Sequence, residues 1–125
     1  MKKILLCLLI AMAVTRGLQA QSSYAIPYQA VARDAVGNLI ANKNVSIQIS
    51  ILDASQKGTV LYKEKFNTAT NQFGLFTVAI GTGTPLSGTY KSIAWEINSK
   101  FLKVEFDPKG GNSFIDMGTT QMMSV

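Results

Sequence analysis

Val45-Ser46-Ile47-Gln48-Ile49-Ser50-Ile51-Leu52-Asp53 is the stretch that decides the fold. Val45, Ile47, Ile49 and Ile51 fall on one side of an extended chain, and Ser46, Gln48 and Ser50 fall on the other. A period of two is the pattern of a strand with one buried face and one wet face. β-Branched side chains are stiff at χ1 and pack well on a pleated surface, so propensity agrees with pattern. Each of the four apolar residues contributes roughly 1.5–3 kcal/mol when buried. A one-residue slip would turn all four to water, which fixes the register.

The same alternation recurs on both sides of this spine. Tyr28–Arg33 reads as a first strand with Pro27 at its start, and Asp34-Ala35-Val36-Gly37-Asn38 reads as a turn. After the spine, Thr59–Asn67 places Val60, Tyr62 and Phe66 on one face, with Glu64 interrupting them. That charge suggests an edge strand, where charged residues discourage aggregation. Leu75–Ile80 turns Phe76, Val78 and Ile80 inward, and Phe101–Asp107 turns Leu102, Val104 and Phe106 inward. Gly81–Gly88 reads as the longest loop, and Tyr90, Ile93 and Ile97 at helical spacing suggest a short helical turn over Lys91–Ile97. Phe114-Ile115 and Thr120–Val125 supply two last short strands. About seven strands with frequent turn signals predict an all-β fold, an antiparallel β-sandwich of Ig-like or transthyretin-like kind.

The 125 residues allow one domain, residues 21–125, behind a leader. Lys2-Lys3, the apolar run Ile4–Val14 and the small residue Ala20 make the three-part pattern of a signal peptide over residues 1–20. The run is shorter than the ~20 residues a spanning helix needs. Cys7 lies inside it, so the chain after residue 20 has no cysteine and must be held by its core rather than by disulfides. The formal charge of +5 shrinks in the same way. Lys2, Lys3 and Arg16 leave with the leader, and no basic–aromatic alternation remains to suggest nucleic acid. The expected destination is outside the cytoplasm, secreted or at the cell surface, with the periplasm as the alternative.

Chemistry is sparse. With no histidine anywhere, Ser–His and Cys–His nucleophiles and most zinc sites are excluded. Gly81-Thr82-Gly83-Thr84-Pro85 resembles a phosphate loop superficially but lacks the Gly-Lys-Ser/Thr ending. Glu105 and Asp107 share one strand face and could serve a small hydrolase. Asp107, Asn112 and Asp116 flank one loop and are the calcium candidates, although Asp and Asn are also ordinary turn formers. Tyr90 and Trp95 are the candidates for a sugar platform, which needs both rings exposed and coplanar. The chain therefore reads as non-enzymatic, with no cofactor.

One resemblance spans nearly all of residues 21–125. Tyr28-Gln29-Ala30-Val31-Ala32-Arg33-Asp34 with Gly37-Asn38, Thr70-Asn71-Gln72-Phe73-Gly74-Leu75, Ile80-Gly81-Thr82-Gly83, Ile93-Ala94-Trp95, Phe101–Asp107 and Met117–Val125 carry it. They resemble the N-terminal module of exported Bacteroidota proteins, which usually heads a longer chain with collagen-like, coiled or tail-fibre-like segments. The turn Asp34-x-x-Gly37-Asn38 leading into Val45-x-Ile47 is also similar to transthyretin-like and carboxypeptidase regulatory-like sandwiches. That resemblance implies a structural or adhesive module of a secreted or cell-surface protein, whose partners are neighbouring domains or surface glycans. Members of the group continue past Ser-Val with Pro-Tyr-Ala, so this chain is expected to be the first part of a longer one. The alternative expectation is a carbohydrate-binding module using Tyr90 and Trp95.

Overall fold

The computed structural model of the protein describes residues 24–123; the expected leader at residues 1–20 and the last two residues lie outside it. Seven strands follow in chain order: β1 (Ile26–Val31), β2 (Asn44–Asp53), β3 (Val60–Ala69), β4 (Leu75–Ile80), β5 (Thr84–Gly88), β6 (Lys100–Asp107) and β7 (Ile115–Met122). All pairings are antiparallel. They form two sheets, a large one in the order β5-β3-β2-β6-β7 and a small one of β1 and β4. The chain is thus all-β and sandwich-like, with two sheets of very unequal width.

The spine occupies the centre of the large sheet. Ile47, Ile49 and Ile51 are buried on β2, opposite Phe66, Glu64 and Tyr62 on β3 and Phe106, Val104 and Leu102 on β6. Phe76, Val78 and Ile80 come down onto that face from β4. Phe76 and Phe106 stack across the two sheets, with centroids 6.4 Å apart and planes at 8°. Tyr28 of β1 closes on Phe76 at 6.3 Å. Two turns of identical hydrogen bonding hold the small sheet's ends. Asp34 Oδ1 accepts the amides of Val36 and Asn38, and Asn71 Oδ1 accepts those of Phe73 and Leu75. This is the Asx-turn role that makes such residues favour turns.

Five expectations need correction. Glu64 does not mark an edge: β5 pairs outside β3, and Glu64 is 0% exposed on the core face. The supposed loop after Ile80 contains β5, an edge strand that accommodates Pro85 because an edge residue need not donate to a ladder. Among the described residues the two last strands expected around Phe114-Ile115 and from Thr120 onward are one; β7 runs through Gly118, whose φ of 119° absorbs a bulge opposite Val104 and Glu105. The helical turn is shorter and earlier than expected, a single 3₁₀ turn over Tyr90–Ser92. Ser46 and Ser50, expected in water, are buried. Each is a small side chain in a central strand with a longer one on either side: Ser50 lies between Lys63 and Lys103, and Ser46 between Asn67 and Asp107.

Candidate functional site

The polar chemistry that the fold concentrates lies at one end of the sandwich, where β3, the β4–β5 connection and the 3₁₀ turn meet. Glu64 lies between Tyr62 and Phe66 on the core face of β3. Tyr62 Oη donates to Glu64 Oε2 at 2.6 Å. The amide of Gly81 donates to Oε1 at 2.8 Å, and that of Gly83 to Oε2 at 3.0 Å. A buried carboxylate is costly unless it is hydrogen-bonded, and here both oxygens are supplied. The amide of Thr82, between those of Gly81 and Gly83, turns away to the carbonyl of Ala79, so two alternate amides of the turn face the carboxylate. The glycine-rich stretch 81–83 therefore does hold an anion, and that anion is the protein's own side chain.

Gly81 is required twice over. Its φ is 102°, and a Cβ there would lie 2.5 Å from the Tyr90 ring. Tyr90 packs on Tyr62 at 5.4 Å and donates its hydroxyl to the carbonyl of Tyr24. Burial, with help from the hydrogen bond to Glu64, pushes the Tyr62 phenol well above its ordinary value. Burial raises Tyr90 as well.

Beside this cluster, Lys100 at the start of β6 is only 4% exposed. Its Nζ donates to Asp53 Oδ1 at 3.1 Å and to the carbonyls of Ile97 and Asn98. Ala54 and Asn98, next to the two ends of this clamp, both take positive φ, at 65° and 58°. The clamp floors a pocket of about 260 Å³ lined by Leu61, Thr89, Ile93, Ala94 and Ile97. On the other side of Lys100, Trp95 borders a wider groove of about 450 Å³ with Ile26, Glu96, Asn98, Gln121 and Met123.

The residues singled out in the sequence are distributed as follows. Trp95 is 39% exposed and Tyr90 is half-buried. Their rings meet edge to face, with centroids 5.8 Å apart and planes at 70°, so they do not form a shared flat platform. Asp107, Asn112 and Asp116 are not brought together as one ligand set. Asp107 is buried and accepts the amides of Lys109 and Ser113, closing its own loop. The Lys109 amide first, then those of Ser113 and Gly111, hold the Asp107 carboxyl below the usual range. Asn112 Oδ1 accepts from Lys65 Nζ at 2.7 Å, and Asp116 lies 3.8 Å from Lys103. Glu105 accepts from Gln48 Nε2 at 3.0 Å on the polar face, beside Asp107 but engaged separately.

Sequence reasoning missed Glu64 and Lys100. For Glu64 a signal was present: a tyrosine two residues earlier on the same face, and a Gly-x-Gly after the next strand. For Lys100 nothing in the sequence marks it, because the carboxylate it pairs with, Asp53, lies 47 residues away on β2.

No curated protein and no solved structure matches the chain. A family model described as a domain of unknown function (DUF8740) matches residues 27–121, from the proline of β1 to Gln121 in β7, and the chain belongs to that family.

Proposed function

We propose that this protein is a non-enzymatic structural or adhesive module of an exported protein, secreted or at the cell surface, that docks a neighbouring domain or surface partner along β7. The observation that carries this reading is the state of that strand. β7 is the outer edge of the large sheet, and the segment Met117–Met123 carries no charge. Ile115, Met117 and Met123 are exposed along it, and its end runs into the groove beside exposed Trp95. Edge strands are usually blunted by charge or proline, and β7 has neither after Asp116. Both edges are bulged, β5 against β3 and β7 against β6, but only β5, the opposite edge, also carries a proline, Pro85. The uncharged stretch of β7 beyond its bulge supports mating by strand addition, in which main-chain bonds give affinity and side-chain pockets give specificity. The Lys2-Lys3 leader pattern supports export. No helix among the described residues is long and apolar enough to cross a membrane.

The test is a photo-crosslinking amino acid at Met117 in cells making the protein, combined with protease treatment of intact cells. The reading expects a discrete adduct and surface cleavage. Absence of an adduct at Met117, with cleavage only after lysis, would refute it.

A second reading, carbohydrate binding, rests on Trp95 alone. That ring borders a groove that also offers the polar side chains of Glu96, Asn98 and Gln121. It expects quenching of the Trp95 fluorescence by a surface glycan, lost in Trp95→Ala with folding retained.

A further inference from the structure

The polar face of the large sheet carries a feature that neither the core nor the Trp95 groove uses. Ser50 on β2 lies directly opposite Lys63 on β3 and Lys103 on β6. One row across three strands thus reads lysine, serine, lysine. Adjacent strands run ~4.8 Å apart, so the two lysine backbones are ~10 Å from each other. Both ammonium groups can reach one small ligand above the serine. The neighbouring rows carry no such pair of like charges. The next row is Lys65, Gln48 and Glu105, and the one beyond is Asn67, Ser46 and Asp107.

Polar satisfaction separates the rows in the same way. Gln48 donates to Glu105, and Ser46 Oγ donates to Asn67 Oδ1 at 3.0 Å. Ser50 is 1% exposed, and its Oγ has no hydrogen-bond partner in the protein. Buried hydroxyls in folded proteins are nearly always paired, so this one needs a physical reason. Ser50 lies at the floor of a depression of about 460 Å³ that is also lined by Lys57, Lys63 and Lys103 and, on the β6–β7 side, by Glu105 and Asp116. Lys103 stands 3.8 Å from each of those carboxylates, and Lys57 and Lys63 form no ion pair among the described residues.

We propose that this depression binds a small tetrahedral oxyanion, a sulfate or phosphate group, with Ser50 Oγ donating to it and Lys57, Lys63 and Lys103 neutralising it. Four donors suit an ion with an oxygen at each corner, and hydrogen bonds to an ionised acceptor are the stronger kind. Glu105 and Asp116 cap the charge the site accepts, which selects a single group over a polyanion. The group can be a free ion or an ester on a sugar.

The test is a titration followed by amide chemical shifts in low-chloride buffer, using inorganic sulfate, inorganic phosphate, glucose 6-sulfate and glucose 6-phosphate. Saturable shifts are expected at Ser50, Lys63 and Lys103. Ser50→Ala and Lys63→Gln should each weaken binding roughly tenfold, the loss of one contact to an anion. Lys65→Gln, one row away, should leave it unchanged. Tighter binding of the esters assigns a sugar ester, and equal binding assigns the free ion. Linear shifts without saturation, equal losses in Lys65→Gln and Lys63→Gln, or an unaffected Ser50→Ala would each overturn the site. Melting temperatures of the variants within a few degrees of the parent separate lost binding from lost folding.

Discussion

Glu64 and Ser50 are both buried polar residues, on adjacent strands and on opposite faces of the same sheet. Glu64 carries the more expensive group and has every oxygen supplied, by Tyr62 and by two glycine amides from the β4–β5 connection. Ser50 carries the cheaper group and has none. The contrast teaches that burial alone does not distinguish a structural group from a ligand-facing one; the origin of its partners does. Glu64 is saturated by the chain and ties a distant turn to the core. Ser50 lies unpaired beneath lysines at a depression open to solvent.

The strongest way to break this contrast is to repeat the carboxylate without its donors. Ile49 lies directly opposite Glu64 on the core face. Ile49→Asp should cost more than about 5 kcal/mol and prevent folding, because no amide is aimed at that position. Circular dichroism would read it. Glu64→Ala comes next. It strands the Tyr62 hydroxyl and two amides, and it should cost more than about 3 kcal/mol, since each unmet buried group costs roughly 1–3 kcal/mol. For a domain of this size that is a fall in melting temperature of about 4–8 °C per kcal/mol. Gly81→Ala keeps Glu64 but disturbs the loop that holds it, through the positive φ and the Tyr90 ring. Its expected cost is roughly 1–3 kcal/mol by thermal melting.

Alkali probes the same cluster more gently. Tyr62 titrates higher in the folded protein than the ordinary phenol value of 10.0, so the unfolded chain loses its proton first. The stabilisation is complete below pH 10 and is lost as pH rises above it. Tyr28 and Tyr90 shift the same way and share the loss. The slope of melting temperature against pH above 10 should flatten in Tyr62→Phe. At the acid end the sign reverses. Asp34 and Asp107 are held below the ordinary 3.8, so their contribution is present above that value and declines as pH falls below it. The smallest effect belongs to Ser50→Ala. Removing an unpaired hydroxyl should leave stability unchanged within about 0.5 kcal/mol or raise it slightly.

What the sequence revealed follows the same division. β2, β4 and β6 were legible because Ile47, Val78 and Val104 each sit in an unbroken period of two, and a buried face enforces that pattern. Asp34 and Gly37 announced their turn for the local reason that an Asx side chain bonds its own backbone. β5 was hidden because Pro85 and Gly88 within it and Gly83 before it have loop composition, and its pairing with β3 is a tertiary fact. Glu64 was misread because a charge on a strand usually lies in water, and the amides that overrule this lie 17 and 19 residues downstream. Ser50 was misread because its polarity was visible but the lysines flanking it come from two other strands. Residues marked by an unbroken period of two or by local turn chemistry could be placed, and those whose distant partners overrule the local pattern could not.

The most direct test of the Glu64 clamp is hydrogen exchange at the Gly81 and Gly83 amides. Both lie in a connection between strands, where amides ordinarily exchange quickly. If the carboxylate captures them, they exchange as slowly as Ile49 and Val104 in the core strands, and the protection disappears in Glu64→Ala under conditions where that variant remains folded. Exchange of Gly81 and Gly83 at unprotected-loop rates in the parent protein would contradict the account.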